Sequence, residues 1–229
     1  MDKSTPLRSL KLSRFGHLWI LMSSLAAGGC CVSFYLPYWL IGYWNKTTVT
    51  FGTFRACNYP GMVYNRTTAA LGTTTIHICA RYNDFNDIPS IAWKACTIMQ
   101  GASCGILLLI ALIGLSFMCI KDVLTKKAIR VAAILQLLAG LSFGCSCAFY
   151  PLGWDSASVR VICGEQSAIY RLGRCTIGWC YWAGIASSAI SLLAAILAFT
   201  SFAITANRDR QVNRSKSSDA RETSPNHNV

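Results

Sequence analysis

Apolar positions along this chain fall into four long runs, separated by polar segments of very different lengths. Phe15–Asn45, Ala95–Ile120, Val131–Trp154 and Cys175–Asn207 contain no Asp, Glu, Lys or Arg. A helix needs roughly 20 apolar residues, at about 1.5 Å each, to cross a hydrocarbon core of about 30 Å. Each run is that long, and a helix in a water-soluble core rarely goes so far without a charge. The pattern predicts a membrane α-helical fold, a bundle of four transmembrane helices at 15–39, 95–120, 131–152 and 176–206. The first run has features of a secretory signal, with Lys3, Arg8, Lys11 and Arg14 before it and Ser24-Leu25-Ala26 within it. Its apolar stretch continues past Leu36, whereas a signal core covers only about 7–15 residues. It reads as an uncleaved span.

The segment between the first two spans, 40–94, changes period. "KTTVTFGTFRAC" and "TTTIHICARY" are rich in Thr, Val, Ile, Phe and Tyr, with the alternation of strands. "NYPGMVYN" separates them with turn formers. A small antiparallel sheet resting on the span ends is expected, with Pro89 leading into the second span.

Charge then orients the molecule. Four basic residues lie in 1–14, four in 121–130 and five in the tail 207–229, against eight in the two longer connectors 40–94 and 153–175. Lys and Arg mark the cytosolic side, so both termini are expected there, in a multi-pass protein reaching the plasma membrane by the secretory pathway. The tail is polar and is expected to be disordered. The net charge of +12 is thereby a topology signal. It gives no argument for nucleic acid, and attraction to anionic membrane lipid is its secondary consequence.

Two further patterns agree. Asn45-Lys46-Thr47 and Asn65-Arg66-Thr67 are glycosylation sequons in the first connector, Asn65 being better spaced from the membrane. Of twelve cysteines, only Cys57, Cys79, Cys163 and Cys175 fall in the two outer connectors, where an oxidising lumen permits disulfides. Four cysteines allow three pairings; pairing within each connector, Cys57–Cys79 and Cys163–Cys175, closes the shortest circuits. The remaining cysteines read as small apolar residues of the spans, with Cys119, near the cytosolic interface, a candidate for palmitoylation.

Candidate chemistry is sparse. No span carries the Asp, Glu, Lys or Arg that transporters keep at mid-membrane depth, and His17 reads as an interfacial histidine. Asp155, Arg160 and Glu165 read as local ion pairs or helix caps rather than catalysts. No enzymatic activity, cofactor or metal is expected. Ser24-x-x-x-Gly28, Gly101-x-x-x-Gly105 and Gly140-x-x-x-Gly144 are close-packing spacings, within the bundle or in a homo-oligomer. Tyr38, Trp39, Tyr43, Trp44, Tyr150 and Trp154, at the outer span ends, are expected to be interfacial aromatic anchors.

"PYWLIG", "FGTFRAC", "DIPSIAW", "QGASCGILLLIAL", "YPLGWDSASVRVICG" and "LGRCTIGWCYW" together resemble the lipoma HMGIC fusion partner-like (LHFPL) tetraspan family, from about Trp19 to Thr200. More distantly the chain is similar to claudins, stargazin-type subunits and peripheral myelin protein. The resemblance assigns signature positions to Trp39, Gly52, Phe54, Gly153, Trp154, Asp155 and Gly164. Phe54 stands where claudins have Trp, and the Cys57–Cys79 interval is longer than theirs, which speaks against a paracellular barrier. The resemblance implies a left-handed four-helix bundle under an extracellular sheet. It also implies an auxiliary subunit that binds a larger membrane protein, such as a channel or receptor, and aids its assembly or trafficking. The alternative is a claudin-like cell–cell adhesion or junction component.

Overall fold

A proline sets the first boundary. Helix α1 (Arg14–Tyr35) stops two residues before Pro37, whose ring disfavours helical backbone in the residue preceding it. This computed structural model describes residues 14–59, 79–82, 84–119 and 126–222, with the side chains of 16–59, 79–82, 84–116 and 127–200.

Beyond Pro37 the chain forms the hairpin β1 (Leu40–Trp44) and β2 (Thr47–Phe51), in register from Leu40↔Phe51 to Trp44↔Thr47. Asn45 and Lys46 at its turn have φ of 45° and 64°, the left-handed pair that a two-residue hairpin of matching twist requires. Strands β3 (Arg55–Cys57) and β4 (Cys79–Arg81) extend the sheet on one side, and β5 (Thr176–Ile177) joins β1 on the other. The order is β4-β3-β2-β1-β5, with every pair antiparallel.

The other helices are α2 (Ile91–Cys119), α3 (Lys126–Phe149), the short α4 (Ala157–Cys163) and α5 (Trp179–Glu222). Helices α1, α2, α3 and α5 are long and apolar enough to cross a membrane. Helix α1 packs beside α2 and α5, and α3 beside the same two, closing a four-helix bundle under the small sheet. Ser90 starts α2, its Oγ accepting from the Trp93 N–H at 3.1 Å, the usual service of a serine cap. The α3–α5 seam is close. Ser188 Oγ donates to the Gly140 carbonyl at 2.8 Å, and a Cβ on Gly144 would lie 2.8 Å from that same oxygen. The Gly140/Gly144 spacing therefore works inside the bundle, whereas nothing lies within 4 Å of a Cβ built on Gly28 or Gly105.

Two expectations are corrected. Trp39, Tyr150 and Trp154 are not interfacial anchors, being only 1%, 0% and 5% exposed. The turn at Pro37 drives Trp39 beneath the sheet, where its indole N–H donates to the Ser33 carbonyl at 2.7 Å. Tyr38, Tyr43 and Trp44 do remain exposed. The tail, expected to be disordered from 207, continues α5 as far as Glu222. No Gly or Pro lies between Ile185 and Ser224, so nothing in the sequence breaks the helix before Pro225.

Candidate functional site

The junction between the sheet and the span ends gathers most of the signature residues. Two disulfides close it. Cys57 and Cys79 face each other across β3 and β4, with Cα atoms 4.0 Å apart, and Cys163 at the end of α4 joins Cys175 beside β5, with Cα atoms 5.0 Å apart. Cys163 and Cys175 are buried, so the second bridge lies within the hydrophobic core.

Beneath the sheet, aromatic rings interlock. Trp39 packs on Tyr150 at 4.8 Å between centroids and on Tyr181 at 5.6 Å; Phe51 meets Trp93 at 5.8 Å. Edge and offset contacts of this kind add to the large area each ring buries. Gly153 lies against Trp93, because a Cβ there would come within 2.2 Å of the indole nitrogen. Gly178 makes a second close approach: a Cβ would lie 2.0 Å from the Tyr38 carbonyl oxygen. That contact lets the Gly178 and Cys180 N–H groups donate to the Trp39 and Tyr38 carbonyls at 2.8 and 3.1 Å. The start of α5 is thus fastened to the exit of α1.

The remaining signature residues have distinct positions. Gly52 admits Pro37, whose Cα would be 3.0 Å from an added Cβ. Phe54 packs on Phe34 at 4.7 Å, and the guanidinium of Arg55 stands 3.9 Å over the Tyr35 ring. Trp154 and Asp155 end the 3₁₀ turn Tyr150–Asp155. The Trp154 carbonyl accepts from Ser167 Oγ at 2.8 Å, and Asp155 pairs with Arg160. Gly164 closes α4 with φ of 90°, a conformation costly for residues with a Cβ. Asn45 is exposed in its hairpin turn. Asn65 lies outside the described residues, as does the side chain of Cys119.

Neither Trp93 nor Gln136 was singled out from the sequence. Trp93 and Tyr150 join the spans to the sheet, and a tryptophan and a tyrosine near span ends carry no mark that separates this role from anchoring. Gln136 holds the opposite half of the bundle, accepting from Trp19 Nε1 at 2.9 Å and donating to Ser23 Oγ at 2.9 Å. An amide inside "AAILQLLAG" is the signal that would have found it.

Chemically, the junction is a rigid frame. Among the described residues no three His, Cys, Asp or Glu converge to hold a metal ion. Burial, with Tyr59 adding to it, pushes the Tyr82 phenol above the usual tyrosine range. Outward, the frame presents apolar side chains among polar ones: Val161 on α4, and Ile169 and Tyr170 in the second connector, are exposed, as are Glu165, Gln166, Arg171 and Arg174. The Tyr170 hydroxyl donates to the Ala148 carbonyl at 2.8 Å, which fixes that connector to the end of α3.

Comparison with known proteins matches residues 15–207 to the family model described as lipoma HMGIC fusion partner-like protein. The LHFPL tetraspan subfamily member 2a protein of Danio rerio is 30% identical over 187 residues, covering 78% of this chain and 83% of the relative. The subfamily member 3 protein of Danio rerio is 32% identical over 188 residues, 80% of each chain. Its Homo sapiens counterpart is 31% identical over 188 residues, 80% of this chain and 73% of the relative. The match takes in all four spans, both disulfides and the sheet between them, and on that ground the chain belongs to the LHFPL tetraspan family.

Proposed function

We propose that this tetraspan is a non-catalytic auxiliary subunit, which binds a larger membrane protein such as a channel or receptor and aids its assembly or trafficking. The observation that carries the reading is the second connector. Its staple, its carbonyl-bound Tyr170 and its buried Trp154 hold the exposed Val161 and Ile169 on a fixed frame. An apolar group held rigidly costs little ordering entropy when a partner covers it. In this reading the sheet faces the extracellular side, because the basic residues of 1–14, 121–130 and 207–229 belong on the cytosolic side. Asn65 and Asn45 are then available to the glycosylation machinery, and Cys119 to palmitoylation.

Cross-linking in native membranes, followed by mass spectrometry, tests the proposal. Wild type is expected to recover a multi-pass partner, and Ile169→Asp to lose it at unchanged surface level. Recovery of no stable membrane partner, or equal recovery by the variant, counts against it. The adhesion alternative requires the protein on facing membranes. Mixing expressing with non-expressing cells separates the two readings, since accumulation at contacts between two expressing cells alone marks the junctional role.

A further inference from the structure

At the end of the bundle away from the sheet, α2 and α3 leave a groove between them, with a volume of about 460 Å³. Ile110, Ile113 and Gly114 of α2 form one wall and Ala132 and Leu135 of α3 the other, with the indole of Trp19 on α1 lining it as well. The short side chains of Ala128 and Ala132 line the space, and Gly114 lets Ile20 of α1 pack against α2, an added Cβ there lying 3.4 Å from Ile20. Trp19 cannot readily swing in to fill it, because its N–H is held by Gln136 and Gln136 by Ser23. Lys127 lines the groove at the first turns of α3, and Leu135 lies about 12 Å further along that helix.

An apolar slot between two membrane-spanning helices is filled by whatever lies beside it, and beside it are acyl chains. The cation makes the slot selective. Arg130 follows one turn after Lys127, and 121–130 holds four basic residues against the single acid Asp122. The first turn of α3 carries no acidic residue to repel an anion. An alkyl-lined groove with a lysine among its lining residues matches a lipid that has an acyl tail and a negative headgroup.

We propose that the groove between α2 and α3 is a binding site for an anionic phospholipid, its acyl chain lying against Trp19 and its headgroup on Lys127. A lysine near a membrane surface favours an anionic over a zwitterionic headgroup by about fivefold. Only the assignment of this leaflet as cytosolic rests on the topology proposed above. A measurement in bilayers of symmetric composition therefore fails or succeeds independently of it, and independently of any protein partner.

The experiment uses the full chain in nanodiscs, with retained lipid read by native mass spectrometry and phosphatidylserine, phosphatidylcholine and cholesterol as competing probes. Wild type is expected to retain phosphatidylserine over phosphatidylcholine. Lys127→Gln should lower that preference about fivefold while a phospholipid still binds. Ala132→Phe, which fills the slot, should abolish retention of both phospholipids. Val131→Trp, made from the exposed rim, repeats the filling test if Ala132→Phe does not fold. Equal retention of the two phospholipids by wild type overturns the proposal. So does preference surviving Lys127→Gln, retention surviving a folded filling variant, or displacement of phosphatidylserine by cholesterol.

Discussion

Trp93 lies flat on Tyr150, with ring centroids 4.9 Å apart and planes within 1°, while its indole N–H donates to the Tyr150 carbonyl at 3.0 Å. One residue of α2 thereby satisfies a backbone group at the end of α3 and covers the ring beside it. Gly153, three residues on, is what permits the approach.

Gly153→Ala is therefore expected to lower thermal stability in detergent strongly, since its Cβ would fall inside the indole and such overpacking costs about 1–3 kcal/mol or more. Trp93→Ala should cost about 3–5 kcal/mol. The two should not add. With the indole gone only Ser90 Oγ, 2.6 Å from the added Cβ, still crowds the methyl, so Gly153→Ala in the Trp93→Ala background should lower the unfolding midpoint by less than it does in wild type. Equal effects in both backgrounds would show that the glycine serves some other contact.

How much of this was legible in the sequence follows from the kind of signal each part carries. The spans were plain, because absence of charge over such lengths has few other causes. The sheet was visible in the alternation around Thr48–Phe51, but β1 was hidden. "LIGYW" follows an apolar run, and only the break at Pro37 separates strand from span. The burial of Trp39 and Tyr150 was not legible. An aromatic ring near a span end serves equally as lipid anchor or as core, and tertiary contact decides. The continuation of α5 beyond 207 is not legible either, because the polar composition there outweighs the absence of helix breakers.

The Cys163–Cys175 bridge should matter more than the Cys57–Cys79 bridge. The first ties α4 to the residue before β5 with both sulfurs within the core, where one backbone bond, from the Arg174 N–H to the Cys163 carbonyl at 2.8 Å, runs beside it; the second, with Cys79 exposed, spans strands already paired by hydrogen bonds. A disulfide typically contributes about 2–4 kcal/mol. Cys163→Ser is expected to cause retention in the secretory pathway, read by surface biotinylation, with Cys57→Ser milder. The reverse order would contradict the packing argument.

Tyr82 predicts a pH dependence. Its hydroxyl finds no hydrogen-bond partner among the described residues, and burial raises its folded-state pKa above the ordinary tyrosine value of about 10. The folded chain thus holds this proton more tightly than the unfolded one. The stabilisation is full below about pH 10 and is lost as pH rises beyond it, when only the unfolded phenol ionises freely. Tyr82→Phe should flatten that alkaline fall in unfolding midpoint while leaving neutral-pH stability unchanged or slightly higher. A variant with the wild-type alkaline slope would place the titration elsewhere.

Gln136 offers the cleanest separation of polar from apolar contributions within the bundle. It sits fully buried in α3, accepting from Trp19 and from Ser23 Oγ at 3.2 Å, both on α1. Removing one partner leaves the others unsatisfied in an environment with no water to replace them. Yet side-chain hydrogen bonds between membrane helices average only about 0.6 kcal/mol, reaching about 1.7. Gln136→Leu is accordingly expected to cost about 1–2 kcal/mol, and Trp19→Phe a similar amount from the lost donor. The double variant should cost less than the sum, because once the amide is gone Trp19 has no acceptor left to lose. Strict additivity in unfolding free energy would mean that the indole contributes through its ring alone, and that α1 and α3 are held across the bundle by packing rather than by this network.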